Sequence, residues 1–115
     1  TPARFVEARR FCQDRGYDLI VVDDAAENAF ARVNGPVGVD MYLGFTDEDV
    51  EGSWRWVDGR LGWMDGASLG YTNWLAGEPN DGGPGQDCAV IGPDGTWRDL
   101  RCVGNLPFVC ESPNP

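Results

Sequence analysis

Lysine and histidine are absent from this 115-residue chain, and its longest aliphatic run is the four residues "LIVV" at positions 19–22. Each shortage excludes something. Without histidine, and with no two of the four cysteines in CxxC spacing, a zinc site lacks its usual donors. Without histidine, lysine or an expected free cysteine, no nucleophile meets a base, so the chain does not read as an enzyme. The paired Asp23 and Asp24 sit at a helix start, where capping accounts for them. A four-residue apolar run is far below the roughly 20 residues of a membrane-spanning helix. No signal peptide is visible, which suggests a mature or trimmed chain. Positive charge is scarce as well: nine basic against nineteen acidic residues give a net charge of −10. That balance argues against nucleic acid, anionic lipid and acidic partners, and it favours attraction of cations.

What is present describes one domain with a modest core. Apolar residues make up 42% of the chain, and five Trp, five Phe and three Tyr supply large core pieces. Sixteen Gly and eight Pro point to a loop-rich fold rather than a helical bundle. Cys12, Cys88, Cys102 and Cys110 are expected to form two disulfides in an oxidising compartment, with three connectivities open.

Along the chain, "PARFVEARRFCQDRG" reads as a helix. Phe5, Ala8, Phe11 and Cys12 recur at helical spacing, Pro2 suits the first turn and Gly16 the C-terminal cap. "DLIVV" is a short buried strand. Asp24 with Glu27 three residues on opens a second helix, with Ala26, Ala29, Phe30 and Val33 as its inner face. Met41, Leu43 and Phe45 alternate as a strand, and "SWRWVDG" forms another that ends in a turn. Residues 59–86 show little periodicity and much glycine, and so read as a long functional loop. "CAVI", "TWRDLRC" and "PFVCE" are short antiparallel strands joined by tight turns. The outline is an α+β domain, its helices early and a twisted antiparallel sheet late. Residues 1–111 form the domain and 112–115, "SPNP", a linker-like tail.

The stretch "GEPNDGGPGQDC", residues 77–88, gathers oxygen donors: Glu78, Asn80, Asp81, Gln86 and Asp87. "WRDLRC" adds Asp99 and sets Arg98 beside it. Calcium takes six to eight such oxygens from a backbone able to bend around it.

Six marks in order then carry a resemblance: "EARRFC", "YLGF", "EPN", "QDCAVI", "GTWRDLRC" and "PFVCE". The chain resembles the C-type lectin-like domain family over nearly its whole length, with "YLGF" in place of the family's Trp-Ile-Gly-Leu signature. The resemblance implies two helices packed on a twisted antiparallel sheet with a long calcium-binding loop. It implies disulfides Cys12 to Cys110 and Cys88 to Cys102, worth roughly 4–5 and roughly 3 kcal/mol on a loop-entropy estimate. The family also has a strand before the first helix, paired with the last strand. Here the chain begins almost at the helix, so either that strand has been trimmed away or the last strand leaves an open edge.

The resemblance further implies a principal calcium site that also holds sugar. Its matching residues are Glu78, Asn80 and Asp99, while Gln86 replaces a Glu and Arg98 replaces an Asn. An auxiliary calcium site corresponds to Asp47, Glu51, Asp81, Gln86 and Asp87. The "EPN" triplet resembles the mannose-type selectivity set, which favours equatorial vicinal 3- and 4-hydroxyls, and the bond before Pro79 is expected to be cis. Gln86 removes a negative charge and Arg98 adds a positive one. A charge at about 4 Å is worth about 4 kcal/mol at an effective dielectric of 20, so an inward Arg98 would weaken ion and sugar binding. The sequence leaves open whether Arg98 points in or away.

The expected function is therefore an extracellular, secreted or cell-surface, calcium-dependent carbohydrate-binding lectin domain. Its sugar contacts would be Glu78, Asn80, Arg98 and Asp99, and its avidity would come from oligomers or tandem domains. The alternative is a lectin-like module with a structural calcium site and an impaired sugar site that binds a protein ligand. Of the tryptophans, Trp74 and Trp97 are expected in a small core beneath the loop and Trp54 and Trp56 on one strand face, with Trp63 or Tyr71 a candidate sugar contact.

Overall fold

A computed structural model describes residues 3–50, 52–64, 67–79 and 86–111. The elements run α1 (Phe5–Gln13), β1 (Asp18–Leu19), α2 (Ala25–Val33), β2 (Met41–Thr46), β3 (Ser53–Trp56), β4 (Leu61–Met64), β5 (Ala67–Ser68), β6 (Cys88–Ile91), β7 (Trp97–Leu100) and β8 (Cys110–Glu111). Six strands form one antiparallel sheet in the order β5-β4-β3-β2-β6-β7, and β1 pairs with β8 in a second small sheet.

Helix α1 follows its pattern. Phe5, Ala8 and Cys12 are buried, whereas Phe11 is 40% exposed and meets Phe108 edge-on at 5.5 Å. Gly16 takes φ 80°, a left-handed conformation that closes the helix, and the amides of Gly16 and Tyr17 return to the carbonyls of Gln13 and Cys12. Pro2 lies outside the described residues. At α2 the Asp24 carboxylate accepts from the Glu27 amide at 2.8 Å, and Glu27 in turn accepts from the Asp23 amide, so the capping reading holds.

The inner face of α2 is not the one its apolar spacing suggests. Phe30 and Val33 are 52% and 77% exposed, Ala26 and Ala29 are exposed too, and the buried residues are Asn28 and Ala31. Asn28 explains the rotation. Its amide donates to the Gly95 carbonyl at 2.9 Å, and its oxygen accepts from the Trp97 indole N–H at 2.7 Å. A buried polar side chain with both ends satisfied orients the helix, and a hydrophobic period cannot register it.

The stretch 59–86 is likewise less irregular than its composition implies, because β4 and β5 extend the sheet within it. Gly62, which reads as a loop signal, is a close-approach position: a Cβ there would stand 2.8 Å from both Phe45 Cε1 and Trp56 Nε1.

The core has two layers, one on each face of the sheet. Phe45, Trp54, Trp56 and Trp97 centre the first, with Trp63, Tyr71 and Trp74 packed against it; the second holds Phe5, Ala8, Leu19, Tyr42, Val90 and the cysteines. Disulfides join Cys12 to Cys110 and Cys88 to Cys102, as the resemblance implied.

Candidate functional site

Strand alternation decides what β7 presents to each side. Trp97 and Asp99 are buried on the aromatic face, while Leu100 packs into the opposite layer with Phe5 and Val90. Residues 73–78 then return alongside β7. Trp97 donates its amide to the Asn73 carbonyl at 2.9 Å and accepts from the Leu75 amide at 2.9 Å; the Glu78 amide reaches the Leu75 carbonyl at 2.9 Å. The Asn73 side chain holds the Gly95 carbonyl at 2.7 Å, the same oxygen that Asn28 holds.

This docking delivers Glu78 to Asp99. Glu78 Oε1 accepts from the Asp99 peptide N–H at 3.3 Å, and the Glu78–Pro79 bond is cis, as expected. Burial first, and then the neighbouring Asp99, push the Glu78 carboxyl up to about 7, opposed by the Asp99 peptide N–H and, last, by Arg98. A carboxyl partly withdrawn from water beside another acidic side chain keeps its proton to higher pH.

A second convergence lies where β2 ends and β6 begins. Thr46 pairs with Cys88 across β2 and β6, and the Asp47 amide donates to the Asp87 carbonyl at 3.0 Å. Asp47 is buried and its Oδ2 accepts from the Gly52 amide at 2.8 Å. Asp87 Oδ1 is shielded from solvent and accepts no hydrogen bond among the described residues. Glu48, which the sequence reading did not single out, has a raised carboxyl pKa, first from burial and then from Asp87 and Asp49. Its only sequence signal was membership of the run "DEDVE".

Of the predicted ligands, Glu78 and Asp99 meet, Asp47 and Asp87 meet, and Gln86 is a half-buried residue beside Asp87 in the chain. Glu51, Asn80 and Asp81 lie outside the described residues. Among the described residues, the one group of three metal-type donors within 4.8 Å is Glu48 with Cys88 and Cys102. The two sulfurs are bonded to each other, so that group is no metal site.

Arg98 turns away from Glu78 and Asp99. Its Nη2 pairs with Asp40 Oδ2 at 2.6 Å, a partner that nothing in the local sequence announces. Trp63 and Tyr71 are partly buried and pack against the aromatic core. Trp63 meets Trp74 at 6.3 Å and Tyr71 meets Trp97 at 5.9 Å, both edge-on within the aromatic layer. Trp54 and Trp56 are buried on the same strand face, as expected.

The donor set fits calcium. Carboxylates and a carboxamide, with no sulfur or imidazole available, make a hard-oxygen environment. The shielded Asp87 oxygen, which accepts no hydrogen bond among the described residues, is a donor of the kind such an ion takes.

Residues 1–112 match the family described as "Lectin C-type domain". The chain is 36% identical over 109 residues to hepatic lectin of Gallus gallus, covering 95% of this chain and 50% of that one. It is 37% identical over 106 residues to C-type lectin domain family 4 member E of Mus musculus, covering 89% and 47%. The chain thus spans about half or less of the length of the curated relatives it matches. Among solved structures it superimposes on the mouse scavenger receptor C-type lectin carbohydrate-recognition domain with TM-score 0.81 at 30% identity, covering 96% of this chain and 82% of that one. The cow CD23 carbohydrate-recognition domain, solved in the presence of GlcNAc2Man3 oligosaccharide, gives 0.82 at 29% identity, covering 95% and 79%. A calcium-independent type II antifreeze protein shares the fold, with TM-score 0.79 at 23% identity, covering 96% and 78%.

Proposed function

Because the chain belongs to the lectin C-type domain family over residues 1–112, we propose that it is a non-catalytic, calcium-dependent carbohydrate-recognition domain of mannose-type selectivity. The observation that carries this reading is the convergence of Glu78 on the Asp99 peptide, with the Glu78 carboxyl pushed up to about 7. In the principal site Glu78, Asn80 and Asp99 would hold the ion, with Gln86 offering a carbonyl oxygen where a carboxylate would bind more strongly. In the auxiliary site Asp47, Glu51, Asp81, Gln86 and Asp87 would do so.

Bound calcium would supply a fixed charge that coordinates two neighbouring sugar hydroxyls. The protein's part is orientation: a Glu78 oxygen accepts from one hydroxyl, and the Asn80 amide donates to the other. Such an acceptor and donor pair would favour vicinal hydroxyls that are both equatorial, the selectivity that the "EPN" resemblance implies. Asp87, with its shielded oxygen, would anchor the auxiliary ion and through it the loop that carries Glu78.

Two disulfides suit an extracellular, secreted or cell-surface setting. Among the described residues no helix is long and apolar enough to cross a membrane. Contact at one small site is weak, so presentation on several linked domains would supply avidity.

A glycan array in millimolar calcium and again in chelator tests the proposal. Retention of mannose-type glycans only with calcium is the expected result, and absence of glycan binding in calcium would reject it. A second reading rests on Gln86 and Arg98 standing where two acceptors would serve an ion and a sugar. On that reading the auxiliary ion is structural and the loop surface receives a protein. Calcium-dependent thermal stabilisation without any glycan binding would select it.

A further inference from the structure

Resting on the calcium reading above, we propose that Asp40 is a positioning residue that holds the Arg98 guanidinium on the far face of β7, out of the Glu78–Asp99 site. The sheet register makes the pairing geometric. Tyr42 pairs with Val90 and Val90 with Arg98, and Tyr42 and Val90 both belong to the layer opposite the aromatic one. Arg98 therefore leaves β7 on that layer's side, away from buried Asp99. Asp40 stands two residues before Tyr42 and shares its side by the same alternation. Extending the Met41–Ile91 pairing by one residue sets Asp40 opposite Gly92. Gly92 has no side chain, and a Cβ there would stand 3.6 Å from Asp40 Oδ1. The arginine arm meets the carboxylate over this gap, Nη2 to Oδ2 at 2.6 Å.

The pairing has two effects on the ion position. It fixes the direction of a long side chain attached next to Asp99, and it turns a lone positive charge into a compact ion pair whose field decays faster with distance. Both side chains are partly exposed, at 37% and 25%, so solvent screens the pair and the effect is moderate. Without Asp40, Arg98 gains rotamers that swing around the strand edge toward the two carboxylates.

The test is a four-protein cycle of wild type, Asp40→Asn, Arg98→Gln and the double variant, with Asp40→Glu as a fifth protein beside it. The readouts are calcium calorimetry and terbium luminescence sensitised by the tryptophan layer. Asp40→Asn is expected to weaken ion affinity about three- to tenfold, Asp40→Glu to recover most of it, and Arg98→Gln to abolish the effect of the Asn substitution. Melting in chelator separates a purely structural role, because loss of fold would lower the melting temperature in both arginine and glutamine backgrounds. Unchanged affinity in Asp40→Asn, or an equal loss in the Arg98→Gln background, overturns the inference while leaving the calcium reading intact. If no variant binds calcium or terbium, the calcium reading falls and this inference with it.

Discussion

The two apolar layers flanking the six-stranded sheet are held together by different means. The layer under α1 contains all four cysteines, so its helix, its small β1-β8 sheet and the end of β7 are tied covalently. The layer beneath residues 73–78 contains no cysteine. It consists of rings in contact, with Phe45 stacked on Trp56 at 4.0 Å and Trp74 edge-on to Trp54 at 5.0 Å and to Trp97 at 5.8 Å. Its hydrogen bonds are few but specific, converging on the Gly95 carbonyl and the Trp97 backbone and indole. The candidate site sits on this aromatic layer. Covalent closure therefore secures the floor of the domain, whereas packing and a small polar network position the loop that carries Glu78.

That contrast can be tested most severely at the floor. Replacing Cys12 and Cys110 by serine is expected to cost about 4–5 kcal/mol of stability, read from the denaturant midpoint, because a 98-residue separation is closed by that bond. A loss below about 1 kcal/mol would place the floor's stability in packing instead.

Asn28 is the corresponding test of the polar network. Asn28→Ala leaves the Trp97 indole and one share of the Gly95 carbonyl without their partner, at an expected cost of about 1–3 kcal/mol. Calcium affinity should fall with it, since the Gly95 turn leads into β7 and Asp99. Stability lost without any change in calcium affinity would separate α2 from the site.

A third prediction concerns proton uptake. The Glu78 carboxyl is held at about 7 when folded against an ordinary value of 4.5, so the folded state binds the extra proton between those values. Its stabilising contribution in chelator is therefore fully present below the lower value and is lost as pH rises through the upper one. The melting temperature in chelator should rise from about pH 8 to about pH 5, with a shallower slope in Glu78→Gln. In calcium the dependence should weaken or reverse, because protons and the ion compete for the same oxygen.

The smallest effect is expected on the outer face of α2. Phe30→Ser should change stability by no more than about 0.5 kcal/mol, because Phe30 is 52% exposed and turned from the core. A loss above about 2 kcal/mol would restore the apolar stripe as the helix's inner face.

Much of this architecture was legible in the residues. The period of α1, the Asp24–Glu27 start of α2 and the β2 alternation each express a local rule, and each appears in the fold. The two-residue alternation also puts Trp97 and Asp99 on one face of β7 as soon as β7 is recognised as a strand. The disulfide pairing and the cis bond before Pro79 were legible only through family resemblance, because spacing alone left alternatives open. Strand β4 was obscured because Gly62, chosen for close approach to Phe45 and Trp56, looks in sequence like a loop glycine.

By itself the sequence determined which groups are on offer: oxygen donors gathered in residues 77–88 and at Asp99, with neither histidine nor lysine in the chain. It also determined that a positive charge stands next to Asp99. Which way that charge points was decided only by tertiary structure. Arg98 and Asp40 are 58 residues apart, and their 2.6 Å contact exists because β2, β6 and β7 lie side by side in one register. The burial of Asn28 and the docking of Glu78 onto the Asp99 peptide have the same origin. Each depends on partners 21 or more residues away, which local propensity cannot encode and only the packed sheet brings together.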